Sequence, residues 1–300
     1  MKRDFLFLRM QSIKNILLKG SENRDMLVDI FYKDNGFLKP IVIYIHGFNG
    51  FKDWGNFDLI AQQFAANGFV FIKMNLSHNG TTPDFPEEFS DLNAYGNNNY
   101  TKELFDVEQI INWVVDEKNS YKSHFDINQI SLIGHSRGGG IAILKSSEDD
   151  RIKSLITWAS VHECKSPWNR WSVEQMKEWQ TKGVQYITNK RTNQQLPIYY
   201  QLYENYIDFQ KRLDIEKNIR KINIPIFICH GTKDEAVPYH AAEKLKEWQP
   251  KATLFLLESD HVFDRKHPWF DTSLPPAMQT VVNESILFLK KFATFNSSKS

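Results

Sequence analysis

Cysteine is nearly absent: the 300 residues hold two, Cys164 and Cys229, too few for a disulfide framework. Cys229 closes the apolar run 224–229, where a buried, unreactive thiol is expected. Long apolar stretches are missing too. The tract Phe5–Leu8 is bracketed by Asp4 and Arg9, too short for a signal-peptide core. No run approaches the roughly 20 residues of a membrane-spanning helix. The expected location is therefore the cytoplasm, with no membrane partner. Charge of one sign is also lacking: 37 Lys and Arg stand against 36 Asp and Glu, a formal net charge of +1. Without a basic surplus or a long basic run, no nucleic-acid partner is expected. His46, His78, His135, His162, His230 and His240 show no H-x-x-x-H spacing, which argues against a zinc site. Neither internal repeats nor low-complexity tracts occur.

Short apolar runs recur instead. Residues 26–32 read as an early strand paired with 13–18, followed by runs at 41–45, 69–74, 130–133, 154–158, 224–229 and 252–257. Most are apolar almost throughout and rich in β-branched or aromatic residues, the pattern of strands covered on both faces. Helical periodicity lies between them. Leu104, Val107, Ile110, Ile111, Val114 and Val115 recur every 3–4 residues, and 58–66, 241–248 and 277–292 are further helices. The expectation is an α/β fold: a doubly wound, mostly parallel sheet. The polar end 296–300 is expected to fray.

Residues 161–221 break the alternation. They carry Trp168, Trp171, Trp179, Tyr186, Tyr199, Tyr200, Tyr203 and Tyr206, and 183–187 with 196–198 could pair as a hairpin. They read as an insertion on a core formed by 1–160 and 222–300. Its aromatics either face a cavity or pack a small core of their own. The Asn-rich loop 77–100 is expected at the same sheet edge as the site described next.

Gly134-His135-Ser136-Arg137-Gly138 matches G-x-S-x-G. An apolar strand enters it and a small-residue helix start leaves it, the strand–turn–helix that projects a serine hydroxyl from a sheet edge. A hydroxyl needs a base, and the base an orienting acid. His261 follows the run 252–257 by a short loop and is the expected base, with His267 in reserve. Asp234 follows the run 224–229 and is the expected acid; Glu235 and Asp260 are alternatives. The oxyanion donors are expected to be the backbone N–H groups of Arg137 and of Phe48, in the loop after 41–45.

Together, His46-Gly47-Phe48, Gly134 to Gly139, His230 to Pro238 and Ser259-Asp260-His261 resemble the α/β-hydrolase superfamily, and within it dienelactone-hydrolase-like and feruloyl (cinnamoyl) esterase-like enzymes. The resemblance runs over about 25–293. It implies an α/β-hydrolase fold with a cap insertion after the sixth strand, at 161–221, and no cofactor. Dienelactone hydrolases proper use a cysteine nucleophile, where this chain has Ser136. The expected function is a serine hydrolase cleaving a small-molecule carboxylic ester through an acyl-enzyme on Ser136. A peptidase, thioesterase or acyltransferase could use the same triad, and a non-catalytic binding protein is the remaining possibility.

Overall fold

The computed structural model describes residues 9–295. The tract Phe5–Leu8 and the polar end 296–300 lie outside the described residues. In chain order the elements are β1 (Arg9–Lys19), β2 (Asp25–Asp34), β3 (Lys39–Ile45), α1 (Phe57–Ala66), β4 (Val70–Met74), α2 (Leu92–Gly96), α3 (Tyr100–Val115), β5 (Phe125–His135), α4 (Arg137–Glu148) and β6 (Ile152–Trp158). There follow α5 (Val173–Lys182), β7 (Val184–Thr188), β8 (Gln195–Tyr199), α6 (Gln201–Asp208), α7 (Ile215–Lys221), β9 (Ile226–Gly231), α8 (His240–Trp248), β10 (Thr253–Leu257) and α9 (Pro276–Phe292).

Eight strands form one sheet in the order β1-β2-β4-β3-β5-β6-β9-β10. β1–β2 and β2–β4 pair antiparallel and the remaining neighbours parallel. The expected doubly wound, mostly parallel sheet is thus the observed one. Strand alternation divides the core. Ile41, Ile43 and Ile45 join the side that holds Leu104, Val107 and Ile110 of α3 and Ile141 and Leu144 of α4. Val42 and Tyr44 join the side of Phe57 and Phe64 of α1 and Val281 and Ile286 of α9. Both faces are covered, which is why the strands read as continuous apolar runs.

The topology creates a crevice. From β3 the chain crosses to β4 on one side; from β5 it crosses to β6 on the other. Loops leaving β3 and β5 therefore diverge, and the gap between them is where ligands bind in open α/β sheets. The β3 exit is 46–51, and the β5 exit is Ser136.

A buried charge cluster anchors the chain just beyond the β3 loop. Lys52 Nζ lies 2.7 Å from Asp29 and 2.5 Å from Asp53, while Lys73 pairs with Asp53 and Asp58. Lys52 and Lys73 are almost fully buried. The three carboxylates, close enough together to hold a cation, are already neutralised by ammonium groups, and the cluster ties segment 52–58 to β2 and β4.

Between β6 and β9 the hairpin forms: Val184–Thr188 pairs antiparallel with Gln195–Tyr199. The aromatics around it turn inward. Trp179 contacts Trp168, Trp171, Tyr200 and Tyr203, with ring centroids 4.9–6.1 Å apart. Trp168 and Trp179 are buried in the same cluster as α3 and α4. Of the two roles open to these aromatics, packing is the observed one for Trp168, Trp171, Trp179, Tyr200, Tyr203 and Tyr206, whereas Tyr186 is exposed. The hairpin tip, Asn189–Arg191, reaches the cavity described below.

Candidate active site

Ser136 sits at the turn between β5 and α4 with φ 56° and ψ −121°, a strained backbone for a residue with a Cβ. Its N–H donates to the Trp158 carbonyl at 2.9 Å, and its carbonyl accepts from Gly139 and Val161 at 2.9 and 3.2 Å. The flanking glycines make the turn possible by close approach. A Cβ on Gly134 would lie 2.2 Å from the Gly138 carbonyl oxygen, and one on Gly138 would lie 2.4 Å from the His46 carbonyl oxygen. Strand, helix and β3 exit touch backbone to backbone here, which only glycine permits.

The structure brings Ser136, His261 and Asp234 together. His261 Nε2 is 3.0 Å from Ser136 Oγ, and His261 Nδ1 is 2.7 Å from Asp234 Oδ2. Asp234 and His261 leave the ends of the neighbouring strands β9 and β10. Asp234 Oδ1 accepts the N–H groups of Ala236 and Val237 at 2.9 and 2.8 Å. Burial pushes its pKa up, but hydrogen bonds from His230 and His261 outweigh that and hold it well below the usual carboxylate range. The alternatives fall elsewhere. Asp260 accepts from the Val262 and Asp264 N–H groups within its own turn. Glu235 meets Arg170 through its backbone carbonyl. His267 accepts from the Gly55 N–H and stacks on Trp54.

The β3 loop lies against the serine: a Cβ on Gly47 would be 2.9 Å from Ser136 Cβ. Among the described residues, the backbone N–H groups of Phe48 and Arg137 make no hydrogen bond. Arg137 opens α4, where N–H groups lack intrahelical acceptors and the helix dipole favours negative charge.

Sequence reasoning missed several supporting residues. His230 is fully buried beneath Asp234, its Nε2 3.1 Å from Asp234 Oδ2 and 2.8 Å from the Val237 carbonyl. His135 Nε2 donates to the His261 carbonyl at 2.8 Å and so fixes the backbone that carries the imidazole. Only their places inside the two motifs hinted at either role. The Arg137 side chain, 2% exposed, pairs with Glu103 of α3 at 3.0 Å, donates to the Ser166 carbonyl and lies 3.9 Å over the Tyr100 ring. Removing one partner of a buried pair strands the other charge, a loss of about 3–5 kcal/mol. Glu103→Ala is accordingly expected to lower stability by that order in urea unfolding. A change below about 1 kcal/mol would show that Arg137 finds another partner.

His46 holds the β3 exit in place. Its Nδ1–H donates to the Gly47 carbonyl at 2.9 Å, and its Nε2 accepts the Leu76 N–H at 3.2 Å, so the neutral ring fits the site. Burial depresses its pKa from 6.5 to about 4. An unfolded chain protonates His46 near pH 6.5 and the folded chain only near pH 4. Between those values the unfolded state holds more protons, so stability falls on acidification, by about 3 kcal/mol in all from this residue. Burial lowers His78 likewise, to about 4. Unfolding free energies at pH 7 and pH 4.5 should differ in this sense, and His46→Gln should flatten the dependence. An unchanged slope in the variant would remove His46 as its source.

Beside His261 lies a cavity of about 410 Å³, walled by the β3 loop, Trp54, His135, the hairpin tip 189–191 and residues 261–267. It gives a small molecule room next to the serine–histidine pair.

A mostly parallel sheet with helices on both faces, a serine on a strained turn after β5, and an acid and a histidine on the loops after the parallel strands β9 and β10 define an α/β-hydrolase. A family model described as BD-FAE matches residues 28–249, and the chain belongs to that family. Similar solved structures include Est1E from Butyrivibrio proteoclasticus with ferulic acid bound, at 17% identity and a TM-score of 0.65 over 93% of this chain and 98% of that one. A Klebsiella pneumoniae protein assigned as a dienelactone hydrolase has 12% identity and a TM-score of 0.61, over 95% and 100% of the two chains. A puromycin-hydrolyzing peptidase from Mycobacterium tuberculosis has 13% identity and a TM-score of 0.62, over 96% of this chain and 40% of that one. At such identities the likeness is one of fold. No match is found among curated proteins. Among the described residues, no helix is long and apolar enough to cross a membrane.

Proposed function

We propose that the protein is a serine hydrolase that cleaves a small-molecule carboxylic ester through an acyl-enzyme on Ser136, with 161–221 as a cap beside the site. The observation that carries this reading is the hydrogen-bonded line Ser136 Oγ–His261 Nε2, His261 Nδ1–Asp234 Oδ2, at 3.0 and 2.7 Å. Ser136 Oγ attacks the ester carbonyl while His261 Nε2 takes its proton. The carbonyl oxygen becomes an oxyanion held by the Phe48 and Arg137 N–H groups. The tetrahedral species collapses, His261 returns the proton to the departing alkoxide, and the acyl group stays on Ser136. Water, deprotonated by His261, then attacks the acyl-enzyme, and collapse frees the acid and restores the serine. Asp234 stays ionised throughout, orients the imidazole and stabilises its protonated form.

The test is a panel of p-nitrophenyl esters of graded acyl length together with a fluorophosphonate probe and intact-mass measurement. Ester turnover and one probe adduct per chain on the Ser136 peptide are expected. A chain that neither turns over the esters nor takes up the probe is a binding protein on a hydrolase frame. The fold shared with a puromycin-hydrolyzing peptidase favours a second reading, attack on an amide. Aminoacyl p-nitroanilides in the same panel separate it, because rates above those of the esters would reverse the assignment.

A further inference from the structure

The loop 77–100 reaches the β3 exit through two side chains. Tyr95 of α2 donates its hydroxyl hydrogen to Asn49 Oδ1, and Asn79 Nδ2 donates to the Gly50 carbonyl at 3.3 Å. Tyr95 is 5% exposed, and its ring centre lies 5.4 Å from that of Phe89 and 5.9 Å from that of Phe48. The short helix beneath it is tied down. Asp91 caps α2 by accepting the Ala94 N–H at 2.9 Å and pairs with Arg24, just before β2. The Tyr95 hydroxyl is thus presented from a fixed platform.

Asn49 is where the β3 exit bends. Gly47-Phe48-Asn49-Gly50 is a tight turn, closed by the Gly50 N–H on the Gly47 carbonyl at 3.0 Å. Asn49, third of the four, has φ 59°. A type II turn needs a left-handed residue in that place, and asparagine takes it at a cost that glycine does not meet. The bond from Tyr95 holds the side chain of the one residue on which the bend depends.

That bend sets the direction of an amide. The Gly47 carbonyl accepts from His46 Nδ1 at 2.9 Å as well as from Gly50, so it is pinned by two donors. In a trans peptide the C=O and the following N–H lie in one plane and point opposite ways. Pinning the Gly47 carbonyl therefore aims the Phe48 N–H. The Phe48 ring is held too, between Tyr95 and the Arg137 guanidinium, whose carbon is 5.7 Å from the ring centre.

We propose that Tyr95 is a positioning residue for acyl transfer, holding through Asn49 the turn that points the Phe48 N–H at the oxyanion. The proposal rests on the reading of Ser136 as an ester-cleaving nucleophile. Asn49 lines the cavity beside His261 and Tyr95 does not, so the hydroxyl acts by way of the turn.

The experiment measures p-nitrophenyl butyrate turnover and inhibition by two ketones in the wild type and in Tyr95→Phe. A hexyl trifluoromethyl ketone takes up Ser136 Oγ as a hemiketal, its carbonyl oxygen becoming an oxyanion as His261 receives the serine proton. Hexyl methyl ketone binds without addition. Loss of one oxyanion donor costs about 100- to 1,000-fold, and a misaimed donor part of that. Tyr95→Phe should lower kcat by about 10- to 100-fold and weaken the trifluoromethyl ketone by a similar factor. KM and the methyl ketone constant should stay within about threefold, because neither involves an oxyanion. Unchanged kcat, a loss carried by KM, or equal weakening of both ketones overturns the proposal. In an Asn49→Gly background the hydroxyl has no acceptor, and adding Tyr95→Phe should change kcat by less than about threefold. An undiminished loss there overturns the route through Asn49.

Should Tyr95→Phe fail to fold, Asn49→Ala removes the same hydrogen bond, disfavours the left-handed φ and carries the same readings. If the wild type cleaves no ester, the hydrolase reading fails, while amide hydrogen exchange at Gly50 still decides whether the hydroxyl holds the turn. Exchange about tenfold faster in Tyr95→Phe is expected, the scale of one lost hydrogen bond, and an unchanged rate overturns the proposal.

Discussion

Replacing Ser136 with alanine is expected to lower kcat on the best p-nitrophenyl ester by about 10⁴- to 10⁶-fold, with far-ultraviolet circular dichroism unchanged. The size follows from what is lost. Without the hydroxyl no acyl-enzyme forms, and only the amide donors and substrate binding remain to assist attack by water. The substitution removes one oxygen whose hydrogen-bond partner is the imidazole His261. The strained turn keeps its backbone bonds to Trp158, Gly139 and Val161. Fluorophosphonate labelling should vanish with activity. A variant that retains more than a tenth of wild-type turnover would falsify the assignment of Ser136 as nucleophile and direct attention to His261 acting on water.

The second large effect is expected from Asp234→Asn, about 10⁴-fold in kcat. Asparagine keeps the shape but not the charge, and its amide can present N–H where His261 Nδ1–H needs an acceptor. The ring is then held in the wrong tautomer, with Nε2 carrying a proton when it should receive one. Asp260→Asn is the matched comparison, because Asp260 adjoins His261 in sequence while its carboxylate serves the Val262 and Asp264 amides. Its effect is expected to stay within about tenfold, the scale of one lost turn contact. Equal losses in both variants would mean that the Asp234 charge is not what orients His261. Asp234 also receives His230, so the asparagine variant should lose stability as well as turnover, and kcat should be compared at a temperature where both proteins are folded.

The sheet and the three site loops were legible in the sequence for a common physical reason. Strands buried on both faces, such as Ile41–Ile45 and Ile130–Ile133, must be apolar throughout, and in a parallel sheet the loops at their carboxyl ends share one edge. Ser136, Asp234 and His261 therefore follow recognisable strands in a recognisable order. Most of the supporting contacts were not legible, because they join residues far apart in the chain. Glu103 meets Arg137 from a separate helix, and neither local sequence predicts the other. His230 and His135 stood inside the motifs, yet a histidine that only positions another group has no pattern of its own. Most aromatics of 161–221 signalled burial correctly but not direction, and Tyr186 is exposed. Trp179 points into a shared core, and the cavity wall from that segment is the polar tip Asn189–Arg191, where no apolar pattern marks it.

That tip is structurally separable from the strands beside it. Ser136, Asp234 and His261 follow β5, β9 and β10 of the main sheet, where β5 and β9 have neighbours on both sides and β10 pairs with β9, and a one-residue slip would move every side chain of a strand to the opposite face. Asn189–Arg191 is held by a two-stranded hairpin outside the main sheet. Residues can be exchanged, gained or lost at such a tip without disturbing any strand that carries Ser136, Asp234 or His261. Exchanges at the tip would therefore reshape the cavity wall while leaving the strands that hold Ser136, Asp234 and His261 in register.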